Sequence, residues 1–314
     1  MMAGRGLSCV RFVMSCSVGF VILNHQPTPL LRRLLERLRV MFDGPPIVCH
    51  HDFSKCGLPE GVRLPGVSFV SPSVQTGWGL FSIVEASLLG IEALFRREDA
   101  PDWFVLLSAA DYPLVPARVV RETFASAGVD AFVSAREVNQ ASRRTDRLNY
   151  RRYLTYRLPR PGLPQAEGEA RFLSLSHPWL TRWLTPFSGD FRCYFGSQWF
   201  SANRHAAERL LRFHRERPAL AAHYLRQERF RSICPDESYL QTILLNDRGL
   251  RIGADNLRYM DWEPGSPHPR VLTAAHLPAM LASGAHFGRK FDTGSGAVLD
   301  LLDRHLDARG HSAG

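Results

Sequence analysis

A chain of 314 residues with 45% hydrophobic and 11% aromatic content can bury a core as one large domain or two small ones, which excludes a disordered or low-complexity protein. The formal charge of +9 favours polyanionic or phosphorylated ligands over cations, and Arg carries nearly all of it, with Lys only at Lys55 and Lys290. The six cysteines, Cys9, Cys16, Cys49, Cys56, Cys193 and Cys234, form no CxxC pair and read as reduced thiols of a cytoplasmic protein.

The first apolar stretch, Phe12 to Leu23, follows Arg11 and falls short of the ~20 residues that span a bilayer. No small-residue cleavage site precedes a polar continuation, so the stretch reads as a buried strand over Val18 to Leu23 behind an N-terminal extension of residues 1–17. No transmembrane segment is expected. Helical spacing of apolar residues predicts a helix over Pro29 to Phe42, followed by a strand over Ile47 to Cys49. The alternation continues through a strand at Val67 to Val70, a helix at Leu80 to Phe95, a strand at Trp103 to Leu107, a helix at Ala117 to Ala127 and a strand at Ala131 to Val133. Strands alternating with helices predict an α/β fold with a mostly parallel central sheet.

Residues 136–192 break this rhythm and predict an irregular insertion. Its Tyr150, Tyr153 and Tyr156, interleaved with Arg, either line an acceptor groove or form a solvated basic loop packed by its own aromatics. Order returns as a strand over Tyr194 to Phe200, a helix over Arg204 to Arg215 and a helix over Asp236 to Leu245. A Pro-rich connection after Asp255, two C-terminal helices and a frayed tail from Asp307 to Gly314 complete the chain, with residues 18–306 as one domain.

The chemistry has several candidates. Cys49, His50, His51, Asp52 and Cys56 crowd one strand end with metal-ligating types, but zinc sites pair their ligands at wider spacing, and adjacent residues of a strand point to opposite faces. The ordinary reading is a strand end facing a ligand, where Asp52 accepts hydrogen bonds from a hydroxyl or a uracil-like amide. No Walker A loop, GxGxxG or GxSxG occurs. Nor is there an Asp-x-Asp pair to hold a divalent ion on a diphosphate; the nearest approximation, Asp261-Trp262-Glu263, suits an acceptor pocket or a solvated turn. A diphosphate leaving without a metal must be met by fixed cations, which Arg and Lys supply through charge-assisted hydrogen bonds. Glu237 fits two descriptions: an acid favoured by the dipole of a helix it opens, or a general base that takes the proton of an attacking hydroxyl.

Five segments in order then become informative together: His25 with His51-Asp52-Phe53-Ser54-Lys55; Thr76-Gly77-Trp78-Gly79; Leu106 through Leu114 with Ala110-Asp111-Tyr112-Pro113; Gly196-Ser197-Gln198-Trp199-Phe200; and Pro235-Asp236-Glu237 followed by Phe287-Gly288-Arg289-Lys290-Phe291-Asp292. This arrangement, over roughly residues 18–292, resembles the core-2/I-branching β-1,6-N-acetylglucosaminyltransferase family, which includes the peptide O-xylosyltransferases. The resemblance implies a GT-A-like domain without the metal motif, with the irregular insertion on the acceptor side, and inverting transfer from a UDP-sugar, GlcNAc or xylose, to a glycan or other hydroxyl acceptor. By motif position it makes Glu237 the base and puts Lys290, Arg270, Asp52 and His25 on the donor and its diphosphate. Trp78, Asp111, Gln198, Trp199 and Asp236 would shape the donor and acceptor clefts, and no metal or other cofactor is expected.

This chain departs from the pattern at Ala110, where the family has glycine, and at Asn24-His25, where it has an alanine–histidine pair. It also lacks the membrane anchor and paired cysteines of the animal enzymes, and so resembles a bacterial, cytoplasmic relative, peripheral to the membrane if associated with it. The alternatives are an inactive carbohydrate- or nucleotide-sugar-binding protein on the same scaffold, or a nucleic-acid binder. Scattered arginines and the absence of any RNA- or DNA-binding motif speak against the last.

Overall fold

The computed structural model describes residues 16–159, 172–230, 232–266 and 268–311. Most of the expected N-terminal extension, with Cys9, lies outside the described residues, as do positions 160–171 of the insertion and the tail at 312–314. The chain begins with strand β1 (Val18–Asn24), helix α1 (Pro29–Met41), β2 (Ile47–His51), β3 (Val67–Phe69), α2 (Ser82–Phe95), β4 (Trp103–Ser108), β5 (Asp111–Pro113), α3 (Ala117–Ala125) and β6 (Ala131–Phe132). Next come β7 (Ala135–Val138), α4 (Ser142–Thr145), α5 (Arg147–Tyr153), β8 (Tyr156–Pro159), β9 (Phe172–Leu175), α6 (Pro178–Leu184), β10 (Cys193–Gly196) and β11 (Ser201–Asn203). The remainder comprises α7 (Arg204–Glu216), α8 (Pro218–Glu228), a 3-10 turn at Pro235–Glu237, α9 (Tyr239–Asn246), β12 (Ile252–Gly253), β13 (Arg258–Met260), α10 (Leu277–Ala282), β14 (Phe287–Arg289) and α11 (Gly296–His311).

Seven strands form the main sheet in the order β12-β6-β11-β4-β1-β2-β3, and β11 alone among them runs antiparallel to its neighbours. The period of two along each strand divides the core. Phe20, Ile22, Val105 and Leu107 face one way and pack with Leu34 of α1, Val120 of α3 and Leu302 of α11. Val21, Val48, Phe104 and Leu106 face the other way, against Val84 of α2, Leu210 of α7 and Ile243 of α9. Strands buried on both faces, covered by helices, account for the near-continuous apolar runs of β1 and β4. This is the mostly parallel, GT-A-like α/β arrangement that the alternation and the resemblance implied.

A second sheet of three strands, β13-β14-β5, determines where the chemistry can sit. β5 begins three residues after β4 ends and pairs antiparallel with β14, with Asp111 opposite Arg289, while β13 lies parallel to β14 on its far side. Residues near the C-terminus are thereby carried to the C-terminal edge of β4, the edge where α/β sheets bind ligands.

Several expectations need correction. The segment 136–192 is not irregular: its described residues hold β7, α4, α5, the β8–β9 hairpin and α6. These elements are short and lean on distant partners, as β7 does on β10, so they leave no periodicity to read. The strand expected over Tyr194 to Phe200 stops at Gly196, as β10, and β11 begins only at Ser201, in a different sheet. The helix expected from Asp236 begins at Tyr239, because Pro235–Glu237 closes a separate 3-10 turn and Ser238 leaves helical geometry to share its hydroxyl with Tyr194 O and Tyr224 Oη, both at 2.6 Å. Helix α8 and the short strands β13 and β14 carried no signal in the sequence, and α11 continues to His311, beyond the point where fraying was expected.

Gly196 marks the break between β10 and β11, because a Cβ there would lie 2.0 Å from the carbonyl oxygen of Ser134. The atoms in the way are the Ser134 carbonyl and Ala135 of the neighbouring segment, which have nothing flexible to yield. Gly196→Ala is expected to destabilise the fold by about 1–3 kcal/mol, the usual cost of overpacking, read as a lowered denaturation midpoint.

Candidate active site

Glu237 lies in the 3-10 turn, with its side chain 35% exposed. Cys234, just before the turn, takes a left-handed backbone with φ of 48°. Burial pushes the Glu237 carboxyl up to about 7; the neighbouring Asp236 adds to the rise, and Arg152 of α5 opposes it from 3.7 Å. Asp236 is itself raised to about 6 by burial, and its Oδ1 is buried without a hydrogen-bond partner. A carboxyl that titrates near neutrality, with only a loose cation beside it, has the properties of a general base. The dipole account of Glu237 is weakened, because the acid does not belong to the first turn of α9.

The loop Thr76-Gly77-Trp78-Gly79 packs directly on this turn. Ile233 N and Cys234 N both donate to the Gly79 carbonyl at 3.2 Å, and a Cβ on Gly79 (φ 70°) would strike Ser232 Oγ at 1.8 Å. Trp78 is left 65% exposed at the rim, its ring 6.4 Å from that of His268. The Trp78 and Glu237 motifs, far apart in the chain, are therefore neighbours, and the segment leading to Arg270 reaches the same rim. The Gly196–Phe200 motif joins them through Gln241 of α9, whose Nε2 donates to Ser197 O at 2.6 Å and to Asp236 O at 3.0 Å. Gln198 within it is half-buried.

Asp111 and Trp199 occupy the interior instead of an open cleft. Asp111 Oδ2 accepts from Ser108 N at 2.5 Å and Ser108 Oγ at 2.7 Å, and pairs with Arg289 Nη1 at 3.2 Å. The Arg289 guanidinium stacks over the buried Trp199 ring, 4.3 Å from its centroid, and also donates to Ser108 Oγ. Arg258 of β13 is buried nearby, over the Phe287 ring, donating to the carbonyls of Asn256 and Leu257, and burial lowers it to about 10 despite the attraction of Asp111. The acid at the end of β4 is thus already matched by arginine.

Asp52 is likewise committed. It is 1% exposed and accepts from Ser54 Oγ at 2.6 Å, Ser54 N at 3.1 Å, and Thr76 N and Oγ1, both at 2.7 Å, with Lys55 Nζ at 3.6 Å. Although its site is buried, these donors hold its carboxyl far below the usual range. Oδ1 is taken by Ser54 and Oδ2 by Thr76, so the free acceptor expected for a hydroxyl or uracil-like amide is not what Asp52 presents. His25 lies beside it, its outer edge in solvent and the rest of its ring enclosed, and its protonation is disfavoured first by that enclosure and then by Lys55. The ligand-like crowd around it is dispersed. His50 Nε2 accepts from Val74 N at 3.0 Å, and His51 lies between Asn24 Nδ2 and Cys56 O, each at 2.9 Å. A carbonyl can only accept, so His51 carries its proton on Nε2. Among the described residues no three His, Cys, Asp or Glu side chains group as a metal site.

The two expected phosphate cations occupy adjacent segments, joined by the hydrogen bond from Leu272 N to Lys290 O at 2.9 Å. Arg270 is half exposed and leans on Asp261 and Glu263 at 3.9 and 3.5 Å, so those two acids hold a cation and not an acceptor pocket. Lys290 is half-buried and, among the described residues, makes no ion pair. Arg152, Arg258 and Ser108 were missed in the sequence. Arg152 reaches Glu237 across 85 positions from inside the supposed irregular insertion, and nothing local announces that contact.

A family model for the Core-2/I-Branching enzyme matches residues 19–281. Two curated proteins of Arabidopsis thaliana, the beta-glucuronosyltransferases GlcAT14A and GlcAT14B, are 28% and 26% identical over 232 and 231 residues. Each alignment covers 72% of this chain but 47% and 49% of the relative, so the chain spans about half the length of the curated relatives it matches. Among solved structures, 2-C-methyl-D-erythritol 4-phosphate cytidylyltransferase from Thermus thermophilus aligns with 86% of this chain and 98% of its own at 13% identity. Its TM-score of 0.29 is too low to bear on the fold.

The two neighbours of Glu237 act with opposite sign. Asp236→Asn removes a negative charge and should lower the Glu237 pKa from about 7, whereas Arg152→Met removes a positive one and should raise it. Carbon-detected NMR titration of the carboxyl measures both, and shifts of the same sign would refute the arrangement.

Proposed function

The chain belongs to the Core-2/I-branching enzyme family of glycosyltransferases, and from that premise we propose that it transfers a sugar from a UDP-sugar to a glycan or other hydroxyl acceptor, with inversion and without a metal ion. The observation that carries this reading is Glu237, a half-buried carboxyl raised to about 7 where the Trp78, Gln198 and Arg270 segments meet. As the acceptor oxygen bonds to the anomeric carbon, its proton passes to Glu237. The bond from that carbon to the diphosphate oxygen breaks, and UDP departs with the electron pair. One displacement needs one base and no enzyme nucleophile, and it inverts the carbon.

The departing diphosphate requires positive charge. Lys290 is half-buried, without an ion pair among the described residues, and Arg270 is held by two loose contacts that a diphosphate can outcompete. Metal independence is supported by the absence of an Asp-x-Asp pair and by Asp111, which Arg289 already neutralises. Asp52 serves here by holding the Thr76 turn, with His25 beside it facing the donor, and Trp78 offers an exposed ring at the rim. GlcNAc and xylose are the sugars that the motif resemblance favours, and the plant relatives add glucuronic acid. A thermal-shift screen of the three UDP-sugars, followed by transfer assays on the hit, identifies the donor.

Glu237→Gln should abolish turnover, by about 10²-fold or more, while UDP still binds in calorimetry; retained turnover sinks the assignment. The base works only when ionised, so kcat/KM should fall as pH drops below about 7, the Glu237 pKa. Activity should persist in excess chelator. Loss restored by manganese would overturn the metal-free reading.

A further inference from the structure

Helix α6 is inverted. Its one buried residue is the polar Thr181, while Trp179 and Trp183 are 60% and 73% exposed and Leu180 and Leu184 are each 36% exposed. The spacing of these four, at i, i+1, i+4 and i+5, places them on one face of the helix. Leu173 of β9, five positions before the helix, is also 55% exposed. Soluble domains seldom leave such surface bare unless something covers it.

The charge around this face indicates what covers it. Arg182 stacks on the Trp183 ring, 4.9 Å from its centroid. The neighbouring α4–α5 segment carries exposed Arg143, Arg144 and Arg147, and Tyr150 Oη of α5 donates to Ser176 O at 2.9 Å, fastening that segment beside α6. The carboxylate among these arginines, Asp146, is taken up by Arg136 at 2.5 Å. Tryptophan and leucine ringed by arginine match a bilayer interface, where indole rings rest among the headgroups and guanidinium groups meet lipid phosphates. A glycan would use the two rings but has no use for exposed Leu180, Leu184 and Leu173.

We propose that the α6 face, with Arg143, Arg144, Arg147 and Arg182 around it, docks the protein on an anionic phospholipid surface. Membrane docking itself does not depend on the transferase reading and is tested without it. The full chain is mixed with vesicles of phosphatidylcholine alone or phosphatidylcholine with phosphatidylglycerol, and sedimentation and tryptophan emission are recorded.

Binding is expected to the anionic vesicles, with a blue shift of emission, weakening with added salt. Replacing both exposed rings (Trp179→Ser with Trp183→Ser), or reversing charge at Arg143→Glu with Arg147→Glu, should weaken it about tenfold or more while the thermal melt is unchanged. These positions are exposed, so a folded variant is expected. No binding to anionic vesicles, or binding indifferent to both pairs of substitutions, overturns the proposal. So does an oligosaccharide-binding screen in which the rings are needed for a glycan while vesicles are ignored.

Discussion

The buried pairing of Asp111 with Arg289 is the interaction on which the site depends. An isolated carboxylate at the end of β4 would be costly to bury, and it is tolerated because Arg289, Ser108 and the Trp199 ring surround it. The pair also joins the two sheets: Asp111 lies in β5 next to the main sheet, and Arg289 comes from β14, 178 positions later. Removing either charge would strand the other. Because this pair holds β14 in register, Lys290 emerges at the C-terminal edge of β4 beside the strand leading to Arg270.

Carboxylates within this one fold are treated in opposite ways. Asp52 is almost inaccessible, yet each of its oxygens accepts from a neighbouring hydroxyl and backbone N–H, which holds its carboxyl below the usual range and makes it a fastener; Asp111, equally inaccessible, is tied through Oδ2 to Ser108 and Arg289. Asp236 and Glu237 are given burial without comparable donors, so their protonated forms gain and their pKa values rise towards neutrality. The difference is hydrogen bonding and not exposure. A carboxylate saturated by its own protein has little left to offer a substrate, whereas one left short of partners is available for proton transfer.

The region between β7 and β10 links this chemistry to the outer surface. Its inner side contributes Arg152 and Tyr153, whose hydroxyl donates to Cys234 O at 3.0 Å and supports the turn that carries Glu237. Its outer side exposes the rings of α6. A segment serving a site on one side and a surface on the other has no single apolar stripe, which explains why its composition is rich in Arg and Tyr and its pattern unreadable.

The sequence by itself determined the alternating strands and helices, the mostly parallel sheet and the family, because apolar periodicity and short ordered motifs are local properties written in neighbouring residues. It also singled out Glu237 and Lys290. What each residue does in the fold was decided elsewhere. Asp52 read as a free acceptor for a ligand, but Ser54 and Thr76 occupy it; Asp111 and Trp199, expected to shape the clefts, are engaged by Arg289 from a distant position; and the acid-bearing helix start proved to be a separate turn once Ser238 bonded to Tyr194 and Tyr224. Arg152 approaches Glu237 only because β7 pairs with β10 and folds the intervening chain back over the site. Hydrogen bonding, burial and charge pairing across such separations set the pKa and the availability of a group, and only the tertiary structure contains them.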